Sequence, residues 1–334
     1  MIQVTRLVFH LGMPKTGTSV LQNSVLRVLD QPEAAHLLLP ELGRGPRGSA
    51  HHGLAKRLAG LGEDGQTAPL VAELKREIGS RRETRAGPLI AFCTSEEFTN
   101  LCGINRARHL AGFLAGFGHD IEVQALLVIR EFSDFLESMY LQSARAGHMR
   151  GSFEQYINSR IRWARDLFQG IAILQRTLGP TLRIEFQDGD FDILDYCDGL
   201  LDLPGGALRT ASAGVPSTAK RKQKEQVALT FLDQVVGVVG FPIDRRKLAR
   251  VFNRAPAFFD NDTRHYTLYR PEQRLETYQR FQQIMRDVPF PPYVEAFARY
   301  RTRDLPQYRL DFGLLGPGDL AILADWRNHI QPDQ

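Results

Sequence analysis

LVFHLGMPKTGTS, at residues 7–19, is the stretch of sequence that decides the fold. Its apolar half predicts a buried strand over residues 6–11, and the amphipathic pattern that follows predicts a helix over residues 18–29. Between them lies a loop of Gly, Lys, Thr and Ser residues. Backbone N–H groups in such a loop converge on an anion, and the following helix adds the positive end of its dipole. The stretch therefore predicts an anion-binding strand, loop and helix.

Further segments predict buried strands because they are short, apolar and bounded by turn or polar residues, at residues 88–93, 122–129 and 182–186. Helical patterns separate the strands, at residues 52–61, 72–83, 106–117, 134–145 and 163–178. Strands that alternate with helices indicate a parallel sheet covered on both faces. The predicted fold class is α/β, a three-layer P-loop-type parallel sheet flanked by helices, with a helical carboxy-terminal region.

The strand signal stops after residue 203. Residues 203–217 are rich in Gly, Pro, Ser and Ala and predict a loop, and helical patterns follow at residues 219–239, 245–259, 271–286 and 293–301. We therefore expect residues 1–203 to form the α/β core and residues 204–334 to form a mainly helical cap of the same domain. Earlier in the chain, PELGRGPRGS at residues 40–49 predicts a mobile loop.

The composition is that of a folded protein, with 43% hydrophobic and 24% charged residues among 334. A net charge of +4 without a concentrated basic stripe does not indicate a nucleic-acid partner. The cysteines, Cys93, Cys102 and Cys197, form no metal-binding pattern and predict buried, reduced thiols. No apolar run approaches the roughly 18 residues that a membrane span needs. We therefore expect a soluble, cytoplasmic protein with no membrane span.

The loop at residues 12–19, called the glycine loop below, nearly fits the nucleotide-binding pattern G-x-x-x-x-G-K-[ST]. Gly12 and Gly17 have the required spacing, but Thr18 stands where that pattern has lysine, and the cation comes from Lys15. A Mg-ATP-dependent phosphotransferase also needs a metal-binding acid at a neighbouring strand end. The strand at residues 122–129 ends in Arg130, whereas the strand at residues 88–93 leads to an acid, so this alternative stays open.

These residues resemble the sulfotransferases that use 3′-phosphoadenosine 5′-phosphosulfate (PAPS). PKTGTS at residues 14–19 matches the family's 5′-phosphosulfate loop, and Arg130 followed by Ser138 and Tyr140 matches its 3′-phosphate motif. Phe132 replaces a proline that the family often has two residues after the arginine. The resemblance covers roughly residues 6–200 and looks closest to bacterial carbohydrate sulfotransferases, through HLGMPKTGTS and TSEEF.

The resemblance implies a role for each matching residue. Lys15 is the expected catalytic residue, which stabilises negative charge on the leaving phosphate. The residues expected to bind the 5′-phosphate are Lys15, Thr16, Gly17, Thr18 and Ser19, and those expected to bind the 3′-phosphate are Arg130 and Ser138. PAPS is the expected co-substrate, without a metal. The expected reaction is in-line transfer of a sulfuryl group to a hydroxyl or amine, with a glycan as the favoured acceptor.

An alcohol acceptor also needs a general base. Glu96 is the candidate because it follows a parallel strand end, where side chains point towards the ligand crevice. Glu97 is its rival, and His52 is a further candidate that we expect to contact the substrate. Thr94 or Ser95 could instead cap a helix whose first turn holds the acids. A non-catalytic nucleotide-binding module on the same scaffold is a third functional alternative.

Overall fold

The computed structural model describes residues 5–45, 48–61, 66–84, 87–145, 152–187, 191–213 and 267–286, together with residues 317, 318, 321 and 324. The helices predicted at residues 219–239, 245–259 and 293–301 lie outside the described residues. The helix predicted at residues 271–286 is confirmed, as Pro271–Arg286.

Contacts within the chain divide it into two compact units. The first comprises Met1–Phe132, Ile161–Ser217 and Phe281–Ala298, and the second comprises Ser133–Arg160, Thr218–Arg280 and Arg299–Gln334. The domain boundary that the sequence predicts after residue 203 stays a prediction. Because the first unit holds the glycine loop and the whole sheet, it carries most of the candidate site.

The first unit contains a five-stranded parallel sheet with the order β2-β3-β1-β4-β5. Its strands are β1 Thr5–Gly12, β2 Leu37–Leu38, β3 Leu89–Ser95, β4 Glu122–Arg130 and β5 Leu182–Gln187. The predicted α/β class with a parallel sheet is therefore confirmed. The strand that leads into the glycine loop lies at the centre of the sheet, between β3 and β4.

The described helices follow most of the predicted segments, and those of the first unit flank the sheet. Their bounds are α1 Thr18–Val28, α2 His52–Ala59, α3 Ala68–Glu83, α4 Ala107–Ala115, α5 Phe132–Arg145, α6 Phe153–Leu178, α7 Ile193–Leu200, α8 Ala207–Ala211 and α9 Pro271–Arg286. Short 3₁₀ helices occur at Pro32–Ala34, Glu96–Leu101 and Gly179–Thr181. None of the described helices is long and apolar enough to cross a bilayer.

The structure corrects three details of the prediction. Helix α6 begins ten residues before the predicted start at residue 163. Helix α8 lies inside the segment predicted as a loop at residues 203–217. Helix α7 was not predicted; it begins at a strong cap, because the Asp192 carboxylate accepts hydrogen bonds from Leu194 N and Asp195 N.

Side chains of β1 are buried on both faces of the sheet, since consecutive residues of a strand point to opposite sides. Val8 packs in a cluster with residues of α1, α7 and α8. Phe9 points the other way, where its ring centroid lies 4.4 Å from that of Phe98 and 5.7 Å from that of Phe113. The predicted buried, reduced cysteines are confirmed, since all three thiols are buried and free.

The second unit is built around a buried ion cluster. Arg274, on α9, lies with its Nη1 3.4 Å from Asp134 Oδ1 and its Nη2 3.5 Å from Glu137 Oε2. The Arg274 guanidinium also lies over the ring of Tyr269, whose hydroxyl donates to Ser133 O at 3.2 Å. A buried charge is costly unless it is paired, so this cluster ties α9 to α5 within the unit.

Candidate functional site

The candidate site lies at the carboxyl edge of the sheet, where the three central strands end together. Leu11 of β1 is in register with Ser95 of β3, and Gly12 is in register with Val128 of β4. All three strands run in the same direction, so the glycine loop, the Glu96–Leu101 3₁₀ helix and Arg130 follow the same edge. Ligands of open α/β sheets bind outside this edge.

The backbone of the glycine loop requires glycine at two positions for different reasons. A Cβ added to Gly12 would lie only 2.5 Å from Thr18 Oγ1, so the requirement at Gly12 is close packing. Gly17 has a φ of 82°, in the left-handed region, and its added Cβ would lie 2.9 Å from Ile193 Cγ2. Lys15 also adopts a positive φ, of 71°, which an L-residue other than glycine seldom does.

Two loop hydroxyls that we expected to bind phosphate are used inside the loop. Thr16 Oγ1 donates to Met13 O at 2.7 Å, and Thr18 Oγ1 lies 3.5 Å from the same carbonyl oxygen. Both threonines are buried. Their side chains therefore help to hold the turn together, and their roles in binding phosphate stay predictions.

Backbone donors of the loop lie at the start of α1. Helix α1 begins after Gly17 without a side-chain cap. The N–H groups of Thr16, Gly17, Thr18 and Ser19 donate no backbone hydrogen bond in the part of the chain that the structure describes. The first N–H groups of a helix need an external acceptor, and an anion at the helix N-terminus supplies one. This arrangement fits the 5′-phosphosulfate group of a nucleotide donor.

A second cation is attached to the loop from β4. Arg130 Nη1 donates to the carbonyl oxygen of Lys15 at 2.9 Å, so the guanidinium and the loop are held together. Ser138 is half-buried on α5 and belongs to the second unit. The 3′-phosphate roles of Arg130 and Ser138 stay predictions.

A layer of buried polar groups lies beneath the loop. His10 Nδ1 is 2.9 Å from Thr94 Oγ1, which also accepts from Gln22 Nε2 at 3.5 Å. Thr99 Oγ1 donates to Gly12 O at 2.7 Å. Burial lowers the pKa of His10 to about 3, so the imidazole is neutral at physiological pH. The layer supports the loop without adding charge to it.

His51 joins the start of α2 to the end of β3. Its backbone N–H donates to Thr94 O at 2.7 Å, and its Nδ1 accepts from Thr94 N at 3.1 Å. Its Nε2 donates to Pro40 O at 2.9 Å, which fixes the tautomer. Burial lowers the pKa of His51 to about 4, so this side chain is a structural connector.

The candidate bases lie around Ser95. The Ser95 hydroxyl accepts from Glu97 N at 3.1 Å and lies 2.8 Å from His52 Nδ1. The Glu97 Oε1 atom is 3.9 Å from His52 Nδ1 and 4.0 Å from Lys56 Nζ. The capping role considered for Ser95 is therefore confirmed. Glu96 is half-buried and makes no hydrogen bond or ion pair with another described residue.

Comparisons with protein-family models, with curated proteins and with solved structures find no match to this chain. The sulfotransferase resemblance therefore stands on the residues that carry it, and the donor, the activity and the acceptor stay predictions. Within the described ranges, no group of three or more His, Cys, Asp or Glu side chains is placed to hold a metal ion.

The residues that support the loop were not predicted from the sequence. His10 and Thr94 are in register on the neighbouring strands β1 and β3. The signal that could have identified them was a polar residue within each of two apolar strands. Lys56 lies four residues after His52 on α2, a spacing that puts both on one helix face. Thr99 gave no signal, because its contact with Gly12 joins residues that are far apart in the chain.

Proposed function

We propose that this protein is a PAPS-dependent sulfotransferase that transfers a sulfuryl group to a hydroxyl acceptor, with a carbohydrate as the favoured class. The observation that carries the proposal is the glycine loop itself. It combines backbone donors at an uncapped helix start with two cationic residues, Lys15 within the loop and Arg130 bonded to it. A donor with a 5′-phosphosulfate and a 3′-phosphate needs positive charge at both ends.

The loop supplies the binding and the charge stabilisation that sulfuryl transfer needs. The N–H groups at residues 16–19 donate hydrogen bonds to the oxygens of the 5′-phosphate. The Lys15 ammonium stabilises the charge that develops on the oxygen bridging phosphorus and sulfur. A sulfuryl group carries less negative charge than a terminal phosphoryl group, so a lysine and backbone donors suffice for this chemistry.

A Mg-ATP-dependent phosphotransferase is the second candidate. Glu96 favours it, because this acid follows β3, the strand beside β1, and has no described partner that would occupy its carboxylate. Arg130 disfavours it, because β4 is the other neighbour of β1 and ends in a cation that repels Mg²⁺. The two candidates differ in the metal requirement for nucleotide binding.

Calorimetry with adenosine 3′,5′-bisphosphate in EDTA, compared with ADP in Mg²⁺, tests the proposal. We expect the bisphosphate to bind without metal and more tightly than ADP with Mg²⁺. Lys15→Ala is the loop variant, and Lys75→Ala on α3 is a matched control that removes the same charge elsewhere. Binding that requires Mg²⁺, or a preference for ADP, would reject the sulfotransferase in favour of the phosphotransferase.

A further inference from the structure

A cleft of about 510 Å³ opens beside the glycine loop, within the first unit. Its walls come from α2, from the 3₁₀ helix and the turn after it, and from α6. The polar and aromatic side chains that line it are Lys56, Glu97, Asn100, Asn105, Arg106 and Trp163, with Asp166 on the same helix as the tryptophan. Apart from Glu97, which is a candidate base, none of these residues has been given a role above.

Thr99 connects this cleft to the glycine loop. It lines the cleft, and its hydroxyl donates to the Gly12 carbonyl oxygen at 2.7 Å. Glu97 lines the cleft as well, two residues after the strand end that is in register with Leu11. The cleft therefore reaches the start of the glycine loop at Gly12, and it contains one of the candidate bases. Glu96 is not among its lining residues.

The cleft is rigidly built. A Cβ added to Gly170 of α6 would lie 1.8 Å from Cys102 O, so the helix and the turn after the 3₁₀ helix touch backbone to backbone. In addition, Ile104 N donates to Asp166 O at 3.1 Å. A binding site built on fixed elements loses little entropy when its ligand binds. These contacts fix the turn after the 3₁₀ helix against α6.

The lining combines hydrogen-bonding groups with an apolar surface. The side chains of Asn100, Asn105, Arg106 and Asp166 are exposed and make no hydrogen bond or ion pair with another described residue. Ile104 lines the cleft together with Trp163. It is 37% exposed and is one of two large apolar side chains that are exposed among the described residues. A sugar ring has this character, with hydroxyl groups around its edge and C–H groups on its faces.

We propose that this cleft is the acceptor site, that it takes a polyhydroxylated ring, and that Glu97 is the base that receives the hydroxyl proton. The inference rests on the proposed function for its chemistry. Amide, carboxylate and guanidinium groups provide both donors and acceptors for hydroxyls, and Trp163 and Ile104 cover the apolar face. A phenol or steroid acceptor would need a more continuous apolar lining.

The chemical step is a single displacement at sulfur. The acceptor oxygen attacks sulfur, the bond from sulfur to the bridging oxygen breaks, and its electron pair leaves on the 5′-phosphate of adenosine 3′,5′-bisphosphate. The hydroxyl proton passes to the Glu97 carboxylate. His52 and Lys56 act as positioning residues, because they lie 3.9 Å and 4.0 Å from Glu97 Oε1 on one face of α2. The Ser95 hydroxyl holds the Glu97 backbone by accepting a hydrogen bond from Glu97 N.

Acceptor binding can be tested without turnover. Saturation-transfer NMR with the methyl β-glycosides of glucose, galactose and N-acetylglucosamine should show binding, whereas 2-naphthol should bind weakly or not at all. The double variant Asn100→Ala/Asp166→Ala should lower glycoside affinity at least tenfold. The matched control is Arg176→Ala, which removes an exposed charge near the end of α6, outside the cleft. This variant should bind the glycosides normally. Binding of 2-naphthol alone, or glycoside affinity that the double variant leaves unchanged, would overturn the proposal.

The base is tested with Glu97→Gln and Glu96→Gln. Glu97→Gln should lower kcat by about 10²–10⁴-fold while binding of the bisphosphate and of the glycosides persists. Loss of transfer in Glu96→Gln with normal turnover in Glu97→Gln would overturn the assignment. Binding of adenosine 3′,5′-bisphosphate by the wild type distinguishes a failure of the proposed function from a failure of the acceptor-site proposal. If the wild type fails to bind it, the proposed function fails, while the glycoside experiment still decides whether the cleft is a saccharide site.

Discussion

Replacing Lys15 by glycine should raise the free energy of unfolding while it abolishes sulfuryl transfer. Lys15 has a φ of 71°, in the left-handed region. This conformation costs an L-residue roughly 1–2 kcal/mol, and glycine avoids that cost. Glycine also loses more conformational entropy on folding, about 0.4–1 kcal/mol. The net gain is therefore roughly 0.5–1 kcal/mol, or an increase of about 1–3 °C in Tm for a chain of this size.

The experiment compares Lys15→Gly with Lys15→Ala. Alanine removes the ammonium but keeps the Cβ, so it keeps the backbone strain. Both variants retain the carbonyl oxygen to which Arg130 donates, so this hydrogen bond contributes equally to the stability of both. Urea unfolding and calorimetric Tm should rank Lys15→Gly above Lys15→Ala. Transfer should fall by about 10²-fold or more in both, because a preorganised positive charge is lost.

Two results would contradict this reasoning. If Lys15→Gly is no more stable than Lys15→Ala, the left-handed backbone at Lys15 stores no strain. If either variant retains wild-type turnover, Lys15 does not stabilise the leaving phosphate. A gain in stability with a loss of turnover would show that the strain at Lys15 is maintained for function, as strained backbone at binding sites often is.

In calorimetry, Arg130→Ala should weaken binding of the bisphosphate about tenfold to a hundredfold more than binding of 5′-AMP. The reason is that a charge-assisted hydrogen bond contributes roughly 1.5–3 kcal/mol. Equal losses for the two ligands would show that Arg130 acts only through its bond with the loop. Gly12→Ala should lower the urea unfolding free energy by roughly 1–3 kcal/mol through overpacking against Thr18, and wild-type stability would contradict the close contact. Stability should also fall as the pH drops from about 6.5 towards 4, because burial lowers the pKa of His51 to about 4 and the unfolded chain binds the extra proton. His51 accounts for roughly 3 kcal/mol of that loss. His10, whose pKa burial lowers to about 3, adds a loss of similar size over the same range, so His51→Gln should remove about half of the pH dependence.

The sequence was sufficient for the long elements of the fold. Strands β1, β3, β4 and β5 were predicted because each segment is short, rich in bulky apolar residues and bounded by turn or polar residues. Strand β5 alternates apolar and polar residues, and most of its side chains are only half-buried. Strand β2 has only two residues, Leu37–Leu38, which is too short for any periodic pattern. Helix α8, with five residues, is similarly short and lies in a segment whose Gly and Pro content favours a loop.

The glycine loop was predictable because its residues are consecutive in the chain. The spacing of Gly12, Lys15 and Gly17 predicted an anion site, together with the strand, loop and helix that the structure confirms. The roles of individual side chains were less predictable. The Thr16 hydroxyl, for example, bonds to Met13 O within the loop, since the tight turn brings that carbonyl oxygen to 2.7 Å. The cleft was not predictable, because its walls come from α2, the 3₁₀ helix and α6.

The choice between the two adjacent acids shows why contacts were needed. Glu96 and Glu97 are equivalent in sequence, and which one faces the cleft depends on how the 3₁₀ helix is rotated. Ser95 sets that rotation, because its hydroxyl accepts from Glu97 N. His51 sets the position of α2, because it bonds to both the N–H and the carbonyl oxygen of Thr94. The following residue, His52, is thereby brought to the Glu97 carboxylate. The Ser95 contact thus sets which carboxylate faces the cleft, and the buried His51 sets which side chains of α2 lie beside that carboxylate.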